Sequence, residues 1–307
     1  MRTIVTGGAG FIGSNIVDAL LARGDEVTVL DDISTGRREN LEGALTKGAE
    51  LVELDIRDQR AVVELVERVA PQAIFHLAAQ IDVRRSAADP ALDARINVEG
   101  TINVLEAARG TGARVVNSST GGAIYGEGKV IPAPESHPVA PEAPYGQSKF
   151  AAEGYMELFR RLHGVSTVSL RYGNVYGPRQ DPLGEAGVIA IFCGKVLDGG
   201  PPTVFGDGLQ TRDYVFVGDV VRANLLAADS DAGGAFNIGT GVESSVLDLI
   251  EALEPHAQGS FEPEMAPERP GEVRHIALDA SRANDELGWT VDVGLSDGLE
   301  RTLDSLR

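Results

Sequence analysis

Tyr145 and Lys149 bracket the run Tyr-Gly-Gln-Ser-Lys, and a helix there carries both side chains on one face. A phenol is a poor base, with an ordinary pKa of about 10, so it needs a neighbouring positive charge to accept a proton at neutral pH. An ammonium ~6 Å away contributes roughly 3 kcal/mol at an effective dielectric of ~20, which is about two pK units. The pair therefore predicts a Tyr145 that Lys149 helps to ionise and that takes the proton of a hydroxyl. Ser118, Ser119 and Thr120 follow a predicted strand and offer hydroxyls to hold the reacting oxygen. A polar turn is the alternative reading of that run, plausible for Ser118 and less so with Tyr145 nearby, and the sequence leaves open whether Ser119 or Thr120 does the work.

Removing a proton in this way is useful when a hydride leaves too, and the start of the chain provides for its acceptor. Gly7, Gly10 and Gly13 follow a short apolar strand and, with Phe11 and Ile12, open a helix. Glycines at this spacing let the backbone approach a pyrophosphate, while the helix N-terminus supplies N–H donors and partial positive charge. Asp31 and Asp32 end the next strand, where a carboxylate accepts hydrogen bonds from an adenosine ribose and repels a 2′-phosphate. The expected cofactor is NAD, whose positive nicotinamide pushes Tyr145 in the same direction as Lys149; Arg37 and Arg38, which could receive a phosphate, are the minority reading. Asp55 and Ile56 follow the third strand, where an adenine would lie. Leu77, Ala78 and Ala79 end the fourth with residues that let a cofactor pass closely. For these last two runs, capping and helix–sheet packing explain the residues as well as ligand contact does.

The elements that must position these groups alternate from the first residue. Apolar runs predict strands over 2–6, 26–30, 50–54, 73–77, 114–117 and 166–171, and helical spacing predicts helices over 11–23, 90–109 and 145–163. Alternation of this kind requires right-handed crossovers and a parallel sheet. The expected fold is α/β, a doubly wound parallel (Rossmann) sheet with a smaller C-terminal substrate-binding lobe. Residues 1–176 form the dinucleotide domain and 177–307 mainly the second lobe, with a late strand near 235–238 returning to the sheet. Helices are expected over 245–253, capped by Ser244 or Ser245, and over 295–306.

Composition limits the function classes. The chain has 307 residues, 43% of them hydrophobic, and a formal net charge of −19. That charge argues against a nucleic-acid or anionic-membrane partner, both of which need a basic footprint. An anionic substrate must then be met by locally placed arginines. Cys193 is the only cysteine and lies in an apolar stretch, so it reads as buried filler, and a reducing cytoplasm is the expected setting. No signal peptide or membrane-spanning run is expected. His76 reads as a satisfied core histidine, and His163, His256 and His275 have no metal-like spacing, so no metal is assigned.

The glycine loop, His76-Leu77-Ala78-Ala79, Ser119-Thr120 with Tyr145-Gly-Gln-Ser-Lys149, and the run from Arg171 to Pro178 together resemble the extended short-chain dehydrogenase/reductases. Within these the chain most resembles the UDP-glucose 4-epimerases of the bacterial and archaeal type, over its whole length. The resemblance implies that Tyr145 takes the proton of a sugar 4-hydroxyl while hydride passes from C4 to NAD⁺, and that a rotated 4-keto intermediate takes the hydride back on its other face. It implies Thr120 on the reacting oxygen, Lys149 on the nicotinamide ribose and Asn97 on the cofactor side. Asn174, Arg212 and Arg269 then hold the substrate diphosphate, and Glu272 the uridine ribose. The related 4,6-dehydratases carry Asp-Glu directly after the threonine, whereas Gly121 and Gly122 stand here, so elimination lacks its acid and base. The segment also holds one residue more than the commonest epimerase pattern between Thr120 and Tyr125. A UDP-uronate decarboxylase and a non-catalytic NAD-binding protein are the remaining alternatives. Ile276 matches the position that gates pocket size and leaves the sugar open. The family implies a homodimer through the helices 90–109 and 145–163.

Overall fold

Six apolar runs become parallel strands: β1 Arg2–Thr6, β2 Glu26–Asp31, β3 Glu50–Glu53, β4 Ala73–His76, β5 Arg114–Thr120 and β6 Thr167–Tyr172. A seventh strand, Gly234–Ile238, pairs in parallel with β6. The order across the sheet is Gly234–Ile238, β6, β5, β4, β1, β2, β3. The computed structural model describes residues 1–127, 129–182, 187–268 and 273–307. Every residue of β4 and β6 is buried, because helices cover both faces of the sheet.

On one face the helix Phe11–Ala22 lies beside Val217–Asp229, and their Ile16, Val17, Leu20 and Val220 join Val5, Val29 and Phe75 in one apolar cluster. On the other face Gln59–Val69, Gly100–Thr111 and Pro144–His163 bury Val62, Leu65, Val104, Leu105, Met156 and Phe159 against Ile4, Ile74 and Val115. Local signals set the ends of these helices. Asp58 caps Gln59–Val69 by accepting from the Ala61 N–H. Pro144 starts Pro144–His163, and Gly164, with φ +68°, ends it. Ser245 and Asp248 form a reciprocal capping box for Val246–Leu253.

Beyond Tyr172 the chain makes short ladders: Asn174–Tyr176 with Tyr214–Phe216, Thr211–Arg212 with Ser244–Ser245, and Thr203–Phe205 with Glu264–Ala266. Phe192, Val204, Leu249 and Trp289 from this part share the apolar cluster of the first sheet face. The chain reverses direction across the sheet between β1 and β4, which opens a crevice at their carboxyl ends. The glycine loop follows β1 and Leu77 follows β4, so both line that crevice.

Two elements differ from expectation. β5 runs on to Thr120, so Ser118, Ser119 and Thr120 are strand residues and not a turn. The expected helix over 90–109 is three pieces, Pro90–Ala94, a π turn Arg95–Glu99 and Gly100–Thr111. No helix among the described residues is long and apolar enough to cross a membrane, and none of their acidic, histidine and cysteine side chains cluster in a way that could hold a metal ion.

Candidate active site

At the end of β1 the backbone turns through Gly7, whose φ is +68°. A Cβ there would lie 2.6 Å from the Ala78 nitrogen, and one at Gly13 would lie 2.2 Å from the Gly7 carbonyl oxygen. Only glycine permits this packing of loop, helix and β4 end. The helix Phe11–Ala22 starts at Gly10 with no side-chain cap and no acidic residue in its first turn. Its N–H donors are therefore left for an anion, and half-buried Phe11 and Ile12 sit in that turn.

Asp31 is 6% exposed and clamps this loop: Oδ2 accepts from Ala9 N–H at 2.9 Å and Oδ1 from Ile33 N–H at 2.9 Å. Burial raises its pKa against those two hydrogen bonds. Each oxygen keeps a lone pair for a further donor such as a ribose hydroxyl. Asp32 is exposed and accepts from the Ser34 N–H and hydroxyl. Arg37 pairs with Asp181 and Arg38 with Glu53, so both arginines of the 2′-phosphate reading are held by carboxylates. Asp55 is gripped bidentately by Arg57, which lowers its pKa. The Ile56 side chain is core, against Gly100, where an added Cβ would come within 2.4 Å. Half-buried Leu77, Ala78 and Ala79 follow β4, with the Leu77 and Ala78 N–H groups donating to Thr6 Oγ1. A narrow glycine cradle, an uncapped helix start and a buried ribose-side carboxylate fit a dinucleotide.

Tyr145 and Lys149 lie one turn apart on Pro144–His163, at the carboxyl end of β5. The Thr120 hydroxyl hydrogen-bonds the Tyr145 phenol, while Lys149 Nζ donates to the Ser118 carbonyl at 2.8 Å. Burial takes Lys149 down to about 8, opposed by the charges of Asp93 and Glu153. Burial and then Asp93 push Tyr145 up to about 12, and Thr120 only partly offsets them. The sequence-based expectation set two positive charges against the phenol proton, Lys149 and the nicotinamide of NAD⁺, and in the free protein Tyr145 keeps that proton. Desolvation of the phenolate is the largest cause, and the Lys149 ammonium is turned to a backbone carbonyl.

Ser119 is turned elsewhere. It is 3% exposed and donates to Glu153 at 2.6 Å, and Glu153 accepts bidentately from buried Arg171. Arg171 also donates to the Tyr125 hydroxyl, which donates to Asn237. Thr120, not Ser119, is the hydroxyl at Tyr145.

Asn97 sits in the π turn, a helical irregularity often found at functional sites. Its Oδ1 accepts from Gln80 N–H at 2.8 Å, and its Nδ2 contacts the Gln80 carbonyl, Asp93 and Ser148. His76 is buried beside it. Thr101 donates to the Asn97 carbonyl and so accepts from His76 Nε2; Nδ1 in turn accepts from Thr6 Oγ1. Burial, aided by the Lys149 charge, lowers His76 to about 3, which leaves it neutral and structural. Asp93 and Gln80 were not singled out in the sequence, because an isolated Asp or Gln in a polar stretch carries no spacing signal.

On the facing side Asn174 leads the short strand paired with Tyr214–Phe216, and Arg212 stands two residues before that partner strand, donating to the Thr211 carbonyl. A Cβ at Gly122 would come 3.2 Å from Asn174 Oδ1, and one at Gly121 2.4 Å from Leu278 Cδ1. Leu278 therefore occupies the space that a side chain after Thr120 would need. Ile276 is buried with Ile124, Tyr125 and Leu278. Arg269 and Glu272 lie outside the described residues.

This fold and site define a dinucleotide-binding α/β scaffold. Residues 3–239 match the NAD dependent epimerase/dehydratase family, and the chain belongs to that family. It is 47% identical to a UDP-glucose 4-epimerase of Mycolicibacterium smegmatis over 100% of this chain and 99% of the relative. A solved structure of a UDP-glucose 4-epimerase with UDP-glucose, from Thermotoga maritima, superimposes with a TM-score of 0.96 at 45% identity, covering 100% of this chain and 99% of that one. A Thermus thermophilus UDP-glucose 4-epimerase in complex with NAD gives 0.92 at 44% identity, with the same coverage.

Proposed function

We propose that the protein interconverts the C4 epimers of a UDP-hexose, UDP-glucose and UDP-galactose, with NAD held in the β1–β4 crevice. The observation that carries this reading is the hydrogen-bonded Thr120–Tyr145 pair beside Lys149, followed by two glycines with no ionisable side chain. Gly7, Gly10, Gly13, the helix start with Phe11 and Ile12, and Leu77–Ala79 would take the pyrophosphate and pass the cofactor closely. Asp31 and Asp32 would take the adenosine ribose, Asp55 and Ile56 the adenine side, and Lys149 with Asn97 the nicotinamide side. NAD, when bound, supplies the acceptor and donor of hydride.

Tyr145 must act as the phenolate, which the positive charge of the NAD⁺ nicotinamide, when bound, would favour together with Lys149; it would then accept the proton of the C4 hydroxyl as that carbon is oxidised and return it as the ketone is reduced from the other face. Thr120 holds the reacting oxygen and the phenol in one hydrogen-bonded line, which fixes the proton's path. Asn174 and Arg212 would hold the diphosphate, with a forked guanidinium suited to it in a chain of net charge −19. With glycine at 121 and 122, no residue there can remove or add a proton at C5 or C6. The family support for this reading is the pair of UDP-glucose 4-epimerase structures that share the fold over the whole chain.

A homodimer is part of the proposal. Tyr155 and Leu162, seven residues apart on one face of Pro144–His163, are 36% and 64% exposed, an apolar pair suited to contact with a second copy. The reading is tested by adding UDP-galactose to the NAD-loaded protein and resolving the sugars by chromatography. UDP-glucose should form without added reductant; a 4-keto-6-deoxy product would replace the reading with dehydration, and a pentose formed from UDP-glucuronate in a parallel reaction would replace it with decarboxylation.

A further inference from the structure

Asp93 is a buried charged side chain near the proton-transfer pair that the mechanism above leaves unused and that, unlike Glu153, has no ion-pair partner among the described residues. It is 1% exposed, at the end of Pro90–Ala94 and just before the π turn. Its Oδ1 accepts from Gln80 Nε2 at 3.0 Å and from Asn97 Nδ2 at 3.2 Å, while Oδ2 is buried with no hydrogen-bond partner among the described residues. An unpartnered buried carboxylate oxygen is costly and calls for an explanation. Across from it, Lys149 has three N–H donors and, among the described residues, only the Ser118 carbonyl to receive them. The same Asn97 amide that holds Asp93 also contacts Ser148, the residue beside Lys149.

We propose that Asp93 is a positioning residue: its carboxylate, clamped through one oxygen by Gln80 and Asn97, keeps the buried Lys149 side chain an ammonium at neutral pH. The other groups around Lys149 cannot do this alone. Glu153, from the same helix, is committed to Arg171 of β6 and to Ser119. His76, from β4, is neutral. Tyr145 is protonated in the free protein. Asp93 is accordingly the strongest of the charges that oppose the effect of burial on Lys149. The same negative charge makes the Tyr145 phenol hold its proton, so removing it should shift both groups down.

This inference rests on the epimerase reading only for its consequence in turnover, and its test does not need turnover. The chain contains four lysines, Lys47, Lys129, Lys149 and Lys195, so lysine labelled with ¹³C at Cε gives few signals. Lys149→Met identifies the one that matters. In the unaltered protein the Lys149 signal should titrate near pH 8. In Asp93→Asn, whose amide oxygen can still accept from Gln80 and Asn97, the midpoint should fall by about one pH unit or more. The alkaline limb of turnover, measured on the NAD-loaded protein, should fall with it. Asp93→Thr serves in the same titration if the amide variant does not fold. A Lys149 midpoint unmoved in a folded variant overturns the inference. A shifted midpoint in a protein that turns over no nucleotide sugar would uphold it and sink the epimerase reading instead.

Discussion

Lys149 reaches the main-chain carbonyl of Ser118 at 2.8 Å, two residues before the hydroxyl that meets Tyr145. The end of β5 thus fixes both members of the proton-transfer pair: a carbonyl holds the lysine and Thr120 holds the phenol. Because the anchor is backbone, no side-chain substitution at Ser118 removes it. The sensitive positions are Thr120, Tyr145 and Lys149 themselves.

Tyr145→Phe should keep NAD bound and lower turnover by about 10²–10⁴-fold, the range supplied by a positioned acid–base group. Calorimetric NAD titration and a UDP-galactose assay on the same preparation check both halves. Turnover at the native rate would remove Tyr145 from the mechanism.

The adjacent hydroxyls should separate cleanly. Thr120→Val removes the only hydrogen bond that eases Tyr145 ionisation and should lower kcat by about tenfold to a hundredfold with little loss of stability. Ser119→Ala removes a donor from the Glu153–Arg171 pair and should cost about 1–2 kcal/mol in unfolding free energy. Its kcat should stay near the native value. The reverse pattern would return Ser119 to the site.

Gly7→Ala forces a side chain into a left-handed conformation and against Ala78, so NAD affinity should fall at least about tenfold. Gly43→Ala, in the helix Glu42–Thr46 with open space around it, should leave affinity unchanged and raise the melting temperature slightly. Equal NAD affinity in Gly7→Ala and the native protein would move the cofactor elsewhere.

His76 makes stability depend on pH. Its folded pKa, about 3, lies below the unfolded value of 6.5, so the unfolded chain binds the extra proton between them. The stability it contributes is complete above pH 6.5 and is lost as pH falls toward 3. Melting temperature should drop across that window, and His76→Gln should flatten the slope. An equal slope in the variant would assign the acid sensitivity to other groups.

Much of the fold was legible because burial on both faces of a parallel sheet leaves unmistakable apolar runs. β1 and the helix Leu295–Leu306 fall where the spacing put them. The glycine loop was legible for the same local reason. What sequence could not show is which way neighbouring side chains turn. Ser119 and Thr120 are equivalent hydroxyls on paper, and only the position of Glu153 separates them. Nor could a distance-based estimate foresee how far burial raises the Tyr145 pKa. The π turn that carries Asn97 has no residue signature, and Asp93 becomes visible only when the turn brings it beside Gln80 and Asn97.

The most direct measurement is conversion of UDP-galactose by the purified, NAD-loaded protein in D₂O, with the product examined by NMR. The mechanism predicts UDP-glucose that retains its original hydrogen at C4, because the hydride leaves and returns within the site. No conversion, or a product carrying solvent deuterium at C4, would contradict it.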